Sequence, residues 1–570
     1  MFLSSVRELI EEKSGVKGFS LEEPEIKARG HLATNAAFLM SKKSGLPPMK
    51  TAELLREKLL SGKEAELFGR IEIANPGFLN FWMSGKATGL AIKEIIKAGS
   101  KWGKNAPKSR KETIIVEYSS PNVAKPMHVG HLRSTIIGDA LANMYETLGY
   151  KVIRWNYIGD WGTQFGKLIA AYKLWGRKKA IEKNPINEML KLYVRFHEKV
   201  KSNPDLDRMA QIEFKKLEEG NTENKKLWAW FRKESLKEFS RLYKDLGVKF
   251  DVTAGEAFYE KDLKPLIDKL KVNGITKVSE GALIVPLDIY GLAPALIEKS
   301  DGATLYLTRD IANLEYRLGK YKLHKILYVV ANEQAHHFNQ LFAVAKILGL
   351  ESVSLEHVKF GMVLGSDGKK LSTREGKTVI LDDLINEAVK LAYKIVAAKN
   401  SKLPKREKEK IAKTVGIGAI KYNDLSQNRV GDIVFDWDKM LSLTGNSAPY
   451  LQYTYVRLKS VLRKARLSGG SADEAKFHVK HLGNESDSAL IMKLAQFPEA
   501  ISRAAETCLP SHLAKYLYEL AQEVNHYYEI NSVLKSGVEI RNARLTLIKA
   551  VVEILKNGLD LLGIQTLERM

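Results

Sequence analysis

The run SSPNVAKPMHVGHLRST, residues 119–135, decides how the rest of the chain is read. Before it stands a short apolar stretch, Thr113-Ile114-Ile115-Val116, with the composition of a buried strand. After it, LRSTIIGDALANMYETLGY places Ile136, Ile137, Ala140, Leu141, Met144 and Leu148 on one helical face. KVIRWNYIGDWG then reads as a second strand and turn. Strand, loop, helix and strand make a βαβ unit, the building block of a parallel doubly wound sheet.

In such sheets ligands bind where a strand hands over to a helix. A helix N-terminus offers unpaired N–H groups and a positive dipole end, which suit phosphate. Gly130 has no side chain, so a flat ring can approach the backbone there. His128 and His131 can donate to phosphate oxygens as charge develops, and Lys125 adds a mobile positive charge. The tetrapeptide His128–His131 alone also fits two histidines satisfied at a helix start, or half of a metal site.

A second segment lies far downstream. HVKFGMVLGSDGKKLSTREGKTV begins as a strand, turns at Gly365-Ser366-Asp367-Gly368, and presents Lys369 and Lys370. Ser372, Thr373, Arg374 and Gly376 make the remainder a polar loop able to bring charge to a leaving pyrophosphate. Alone it is equally an exposed basic hairpin. In one domain with the first segment, it points to chemistry at a nucleotide.

The 570 residues allow roughly three to four domains. Apolar residues make up 45%, enough for sizeable cores, and the net charge of +23 attracts a polyanion such as nucleic acid. A solvated basic face is the alternative reading of that charge. One cysteine, Cys508, excludes an internal disulfide framework and a cysteine-based zinc site, and fits a reducing compartment. No run reaches the ~18 apolar residues of a membrane span, and the N-terminus is too acidic for a transit peptide. A soluble, cytoplasmic protein is expected.

The expected architecture is multidomain α/β. Residues 1–105 read as an N-terminal α+β domain, with a turn at Asn75-Pro76-Gly77 and a basic linker at 99–111. Residues 106–404 read as a Rossmann-type parallel-sheet domain carrying a helical insertion at about 166–247. Strand signals at LIVPL, ATLYLT, KILYVV and HVKFGMVL place the second half of that sheet between about 280 and 365. Residues 405–570 read as all-α, with a break at Ser468–Ser471.

Taken together, these stretches resemble the arginyl-tRNA synthetases, a family of class I aminoacyl-tRNA synthetases. HVGH resembles that class's HIGH motif, and KLSTR (370–374) resembles a degenerate KMSKS loop. SSPNVAKPMHVGHLRSTIIGD, YIGDWGTQFGKL, LYLTRDIA, KYNDLSQNRVGDIVFDW and NSAPYLQYTYVRL carry the resemblance along the chain, as do RGHLATNAAFL, IANPGFLNF and the C-terminal RNARLTLIKAVVEILKNGLDLLGIQTLERM.

The resemblance implies an arginine–tRNA ligase. Arginine is activated with ATP to arginyl-adenylate and pyrophosphate, then transferred to the 3′-terminal adenosine of tRNA-Arg. Mg²⁺ would accompany the ATP. His128, His131, Lys125 and Lys370 would be catalytic; His128, Gly130, His131, Lys369, Lys370 and Ser372 would meet ATP. Thr373 stands where the second KMSKS lysine is expected, and Lys125 is the implied substitute. A guanidinium is best matched by carboxylates beside a hydroxyl. The family pattern puts these at Glu256, Tyr306 and Asp310, with Asn122 and Gln334 at the α-amino and carboxylate end. Asn75, Phe78 and Asn80 would meet the tRNA elbow, and Tyr450 and Tyr528 the anticodon loop. A monomer is expected, and family members typically need tRNA bound before they activate arginine.

Other readings have their own signatures. A short HxGH nucleotidyl transferase lacks a helical C-terminal domain. A cysteinyl enzyme wants zinc ligands, and glutamyl or glutaminyl enzymes want a cationic pocket. A catalytically dead RNA-binding paralogue would not be expected to retain His128, His131, Lys125 and Lys370.

Overall fold

A computed structural model describes residues 2–24, 26–104, 112–365, 367–369, 371, 379–467, 470, 472, 477 and 479–570. In the N-terminal region, strands β1 (Leu21–Glu22), β2 (Leu32–Thr34), β3 (Phe68–Ala74) and β4 (Phe78–Met83) form an antiparallel sheet in the order β1-β2-β4-β3. Helices Phe2–Ser14, Ala36–Ser44, Pro48–Leu60 and Gly85–Ala98 cover it. The expected basic linker is anchored at its start: Trp102 is buried and its indole N–H donates to the Leu494 carbonyl at 3.0 Å.

The central sheet is parallel. It contains β5 (Thr113–Glu117), β6 (Lys151–Ile158) and β7 (Val252–Gly255). Its other strands are β11 (Leu323–Tyr328) and β12 (Ser354–His357), in the order β12-β11-β5-β6-β7. All five residues of β5 are buried, as a central strand covered on both faces requires. The crossover helix Val129–Thr147 is buried nearly all round, not on one face as its periodicity predicts. The sheet packs on one side of it and the C-terminal helices on the other.

The second half of the sheet is smaller than the strand signals predict. LIVPL contributes to β9 (Ala282–Val285), which pairs antiparallel with β8 (Lys277–Ser279) and β10 (Ala295–Glu298) in a separate sheet. The ATLYLT stretch is not a strand: Tyr306 opens the helix Tyr306–Lys320. That helix carries buried Leu307, Ile311 and Leu314 at helical spacing, which outweighs the β-propensity of its first residues. HVKFGMVL is split. Its start ends β12, and Val363–Leu364 forms β13, parallel to β14 (Ile433–Val434).

The insertion runs as helices Thr163–Trp175, Lys178–Lys183, Pro185–Val200, Asp205–Glu218 and Thr222–Leu246. The C-terminal region is a helical bundle from Lys405–Leu425 to Val538–Leu561. No described helix is long and apolar enough to cross a membrane.

Candidate active site

The loop between β5 and the helix Val129–Thr147 is held in an unusual shape. Ser119, Ser120 and Ala124 all have positive φ, a conformation costing about 1–3 kcal/mol each for such residues. Cross-connections from three other elements hold it there. Ser134 accepts from the Ser119 N–H at 2.8 Å, and Asn156 accepts from the Ser120 N–H at 3.2 Å. Ser235, on the insertion helix Thr222–Leu246, accepts from the Ala124 N–H at 3.0 Å. The Ser119 hydroxyl pairs with the Tyr243 hydroxyl at 2.8 Å.

The two histidines are satisfied at a helix start, and that is informative. His128 is the N-cap: its Nδ1 accepts from the Gly130 N–H at 3.1 Å. His131 reaches back, its Nδ1 accepting from the His128 N–H at 3.1 Å. A backbone N–H can only donate, so each Nδ1 carries a lone pair and each neutral ring has its proton on Nε2. Burial, then the charges of His128 and Lys125, push His131 down to about 3. It is therefore a neutral donor at physiological pH. Gly130 has a further reason to be glycine: a Cβ there would lie 3.0 Å from the His128 ring. No group of three His, Cys, Asp or Glu side chains that could hold a metal ion exists among the described residues.

Lys125 sits half-buried with its ammonium 5.3 Å from the centre of the Tyr193 ring, on the insertion helix Pro185–Val200. Lys369 is exposed; its N–H donates to Asp367 at 3.0 Å. Lys370, Ser372, Thr373 and Arg374 lie outside the described residues.

The expected arginine pocket gathers at the C-terminal ends of β5, β6 and β7, the binding edge of such a sheet. Glu256 follows β7 directly and has no ion pair among the described residues. Burial pushes its carboxyl up to about 8, with Asp310 and Asp160 adding to the rise and Arg309 opposing it. Asp310, on the helix Tyr306–Lys320, accepts from His337 Nε2 at 2.5 Å. Burial opposes charge on His337, but Asp310 raises the imidazole above its usual range. Tyr306 is exposed at the start of the same helix and senses the charge of Glu256. Asn122 lies against Gly159 at the end of β6. Gln334 is exposed on the turn Asn332–Gln334.

Sequence reasoning missed four participants. Glu117, the last residue of β5, is buried in an ion pair with Arg317 and lies within electrostatic reach of Asp310 and His337. Tyr157 has a buried hydroxyl without a hydrogen-bond partner among the described residues. Asp160 accepts from Arg232 Nε at 2.8 Å and from the Ala257 N–H at 3.0 Å, fixing the backbone beside Glu256. A Cβ on Gly255 would lie 2.2 Å from that carboxylate, so the approach needs glycine. The fourth, Arg133, is buried two residues past His131. Charged and hydroxylated residues at the ends of predicted strands were the available signal for the first three.

The distal positions divide. Asn75 and Phe78 are exposed at the β3–β4 turn, whereas Asn80 is only 5% exposed within β4 and does not offer its amide to a partner as placed. Tyr450 and Tyr528 come together across two helices. Asn525 donates to the Tyr450 hydroxyl at 2.9 Å, and Arg457, which reaches Asn525 at 3.5 Å, lies 5.0 Å from the Tyr528 ring centre.

Residues 91–437 match the family described as tRNA synthetases class I (R), catalytic domain. Residues 2–83 match the arginyl tRNA synthetase N terminal domain, and 451–570 the DALR anticodon binding domain. The chain is 44% identical over 553 residues to the arginine–tRNA ligase of Enterococcus faecalis, covering 96% of this chain and 95% of that one. It is 42% identical over 524 residues to that of Halothermothrix orenii, covering 91% of each. Among solved structures, the arginyl-tRNA synthetase of Plasmodium falciparum superposes with a TM-score of 0.83 at 25% identity, covering 100% of this chain and 99% of that one. The Thermus thermophilus arginyl-tRNA synthetase shares the fold over 100% of both chains, with a TM-score of 0.84 at 24% identity. The chain belongs to the arginyl-tRNA synthetases, a family of class I aminoacyl-tRNA synthetases that uses ATP for aminoacylation.

Proposed function

We propose a division of labour among this chain's residues for arginine–tRNA ligation. The observation that carries it is the Glu256 and Asp310 carboxylates at the strand ends beside a phosphate-ready helix start, Glu256 without an ion pair among the described residues and Asp310 held by His337. Their acidity suits a guanidinium, with the Tyr157 and Tyr306 hydroxyls as further partners. Asn122 and Gln334 serve the α-amino and carboxylate end.

An arginine carboxylate oxygen attacks the α-phosphorus of ATP. The bond from that phosphorus to the bridging oxygen breaks, and pyrophosphate leaves with the electron pair. His128 and His131 donate through Nε2 to the phosphate oxygens, and Lys125, Lys369 and Lys370 offset charge on the phosphates, with Ser372 and the Gly130 backbone as further ATP contacts. The 2′-hydroxyl of the terminal adenosine then attacks the activated carbonyl, and AMP leaves. Catalysis here is positioning and charge stabilisation, with no covalent enzyme intermediate. Mg²⁺ arrives with ATP as part of the substrate.

The tRNA is held at its elbow by Asn75 and Phe78, and at the anticodon by Tyr450 and Tyr528. The division at 1–105, 106–404 and 405–570 assigns one task to each part: elbow contact, catalysis and anticodon reading. The chain works as a cytoplasmic monomer.

The test is ATP–pyrophosphate exchange with tRNA present, comparing arginine with lysine and glutamate. Exchange with arginine alone among the three supports the reading; exchange with lysine would sink the pocket. Lys125→Ala is expected to slow exchange by about 10²–10³-fold while leaving arginine affinity within about twofold. An unchanged rate would remove Lys125 from the chemistry.

A further inference from the structure

The segment that bears Lys369 is tied on both sides to the start of the histidine helix. On its far side, His128 and Ile380 form an antiparallel bridge; the Val129 N–H donates to the Val379 carbonyl at 3.2 Å, and the Leu381 N–H to the Met127 carbonyl at 2.9 Å. On its near side the tie is one side chain, Arg133. Its Nε donates to Asp424 at 3.0 Å, in the helix Lys405–Leu425. Its Nη1 donates to the carbonyls of Gly361 at 2.7 Å, Met362 at 3.3 Å and Gly431 at 3.4 Å. Its Nη2 donates to the Arg429 carbonyl at 3.4 Å.

Those carbonyls lie where the chain enters β13 and β14. Each strand is only two residues long, and three backbone bonds join the two stretches: Gly361 N–H to the Arg429 carbonyl at 3.0 Å, Ile433 N–H to the Met362 carbonyl at 3.0 Å and Phe435 N–H to the Leu364 carbonyl at 2.9 Å. The two backbones approach so closely that a Cβ on Gly361 would lie 2.5 Å from Gly431. A planar fork of five N–H donors can reach a carboxylate and four carbonyls from both stretches at once; an ammonium has only three donors for the same task. Stability alone does not call for this device, because a buried ion pair often stabilises no better than apolar packing. What it specifies is geometry.

We propose that Arg133 is a positioning residue for adenylate formation, setting the base of the Lys369 segment at a fixed separation from His128 and His131. This rests on the reading of both segments as nucleotide-handling. Misplacement of about 1 Å between groups that act on one substrate costs about 10²-fold in rate. Among the described residues, the arginine pocket, built on β7 and the helix Tyr306–Lys320, makes no bond to Arg133, so the arginine site is expected to survive its replacement.

The experiment uses the full-length protein with tRNA. Arg133→Lys keeps the charge for Asp424 but loses the fork. Its ATP KM is expected to rise and its exchange kcat to fall, by about 10²-fold in kcat/KM, with arginine affinity unchanged by calorimetry. A lowered melting temperature with ATP kinetics like wild type would overturn the proposal, as would loss of arginine binding. If Arg133→Lys does not fold, Asp424→Asn is read the same way; failure of both to fold assigns the pair to stability and overturns it. Lys125→Ala and Lys369→Ala separate the two readings. Normal exchange in both removes the underlying assignment, whereas their loss beside a wild-type-like Arg133→Lys removes only this inference.

Discussion

Two charged clusters flank the same catalytic sheet, and they are built in opposite ways. Between the helices Val129–Thr147 and Lys405–Leu425, charges are matched. Arg133 pairs with Asp424, and Lys421 faces Asp139 while donating to the Leu246 and Gly563 carbonyls at 2.8 and 2.7 Å. The polarity alternates, with cation then anion along one helix facing anion and cation on the other. A slip between the helices would bring like charges together. At the strand ends, Glu256 is half-buried beside Asp310 and Asp160, and the cation that acts on it, Arg309, is already engaged by Glu260 at 3.2 Å. Matched burial fixes an interface; unmatched burial marks a place for a cationic ligand.

The largest expected effect breaks the matched cluster. Lys421→Met leaves Asp139 buried without its cation. Chemical unfolding should show a loss of about 3–5 kcal/mol, with arginine affinity nearly unchanged in the protein that remains folded. A change below about 1 kcal/mol would mean that Asp139 protonates at little cost, and the matching argument fails.

In the unmatched cluster the pattern inverts. Asp310→Ala should weaken arginine binding by about 2–5 kcal/mol, measured by calorimetry, with little loss of stability. Wild-type affinity in that variant would show that the guanidinium binds elsewhere. Glu256→Gln should cost less, about tenfold in affinity at pH 7, because the carboxyl has largely given up its charge in the empty pocket. A loss as large as that of Asp310→Ala would contradict the raised Glu256 carboxyl.

Much of the catalytic half was legible in the sequence because its signals are local. A strand, a loop and a helix with glycine in its first turn follow one another within residues 113–147, and the periodicities changed where the structure does. The helical insertion and C-terminal bundle were legible for the same reason. Residues 303–308 were misread because a β-rich hexad can be overruled by the apolar spacing that follows it. The buried side of the helix Val129–Thr147 was half seen, since periodicity predicts one apolar face and gives no sign that a second domain covers the other. The burial of Arg133 and Lys421 left no sign in the sequence for that reason. Arg133 and Asp424 stand 291 residues apart, and no local pattern connects them. At the site, Glu117 and Asp160 escaped because a single carboxylate at a strand end is only informative once neighbouring strand ends are known to converge.

The most direct test of the unmatched pocket is arginine titration by calorimetry at pH 7, in two buffers of different ionisation enthalpy. In the empty site Glu256 titrates near about 8, so at pH 7 most molecules carry its proton. A guanidinium favours the carboxylate and lowers that value. Binding should therefore release a substantial fraction of a proton per arginine, and affinity should rise with pH up to about 8 and level off above it. Glu256→Gln should abolish the release. Binding with no proton release, or with a release that survives in Glu256→Gln, would contradict the account.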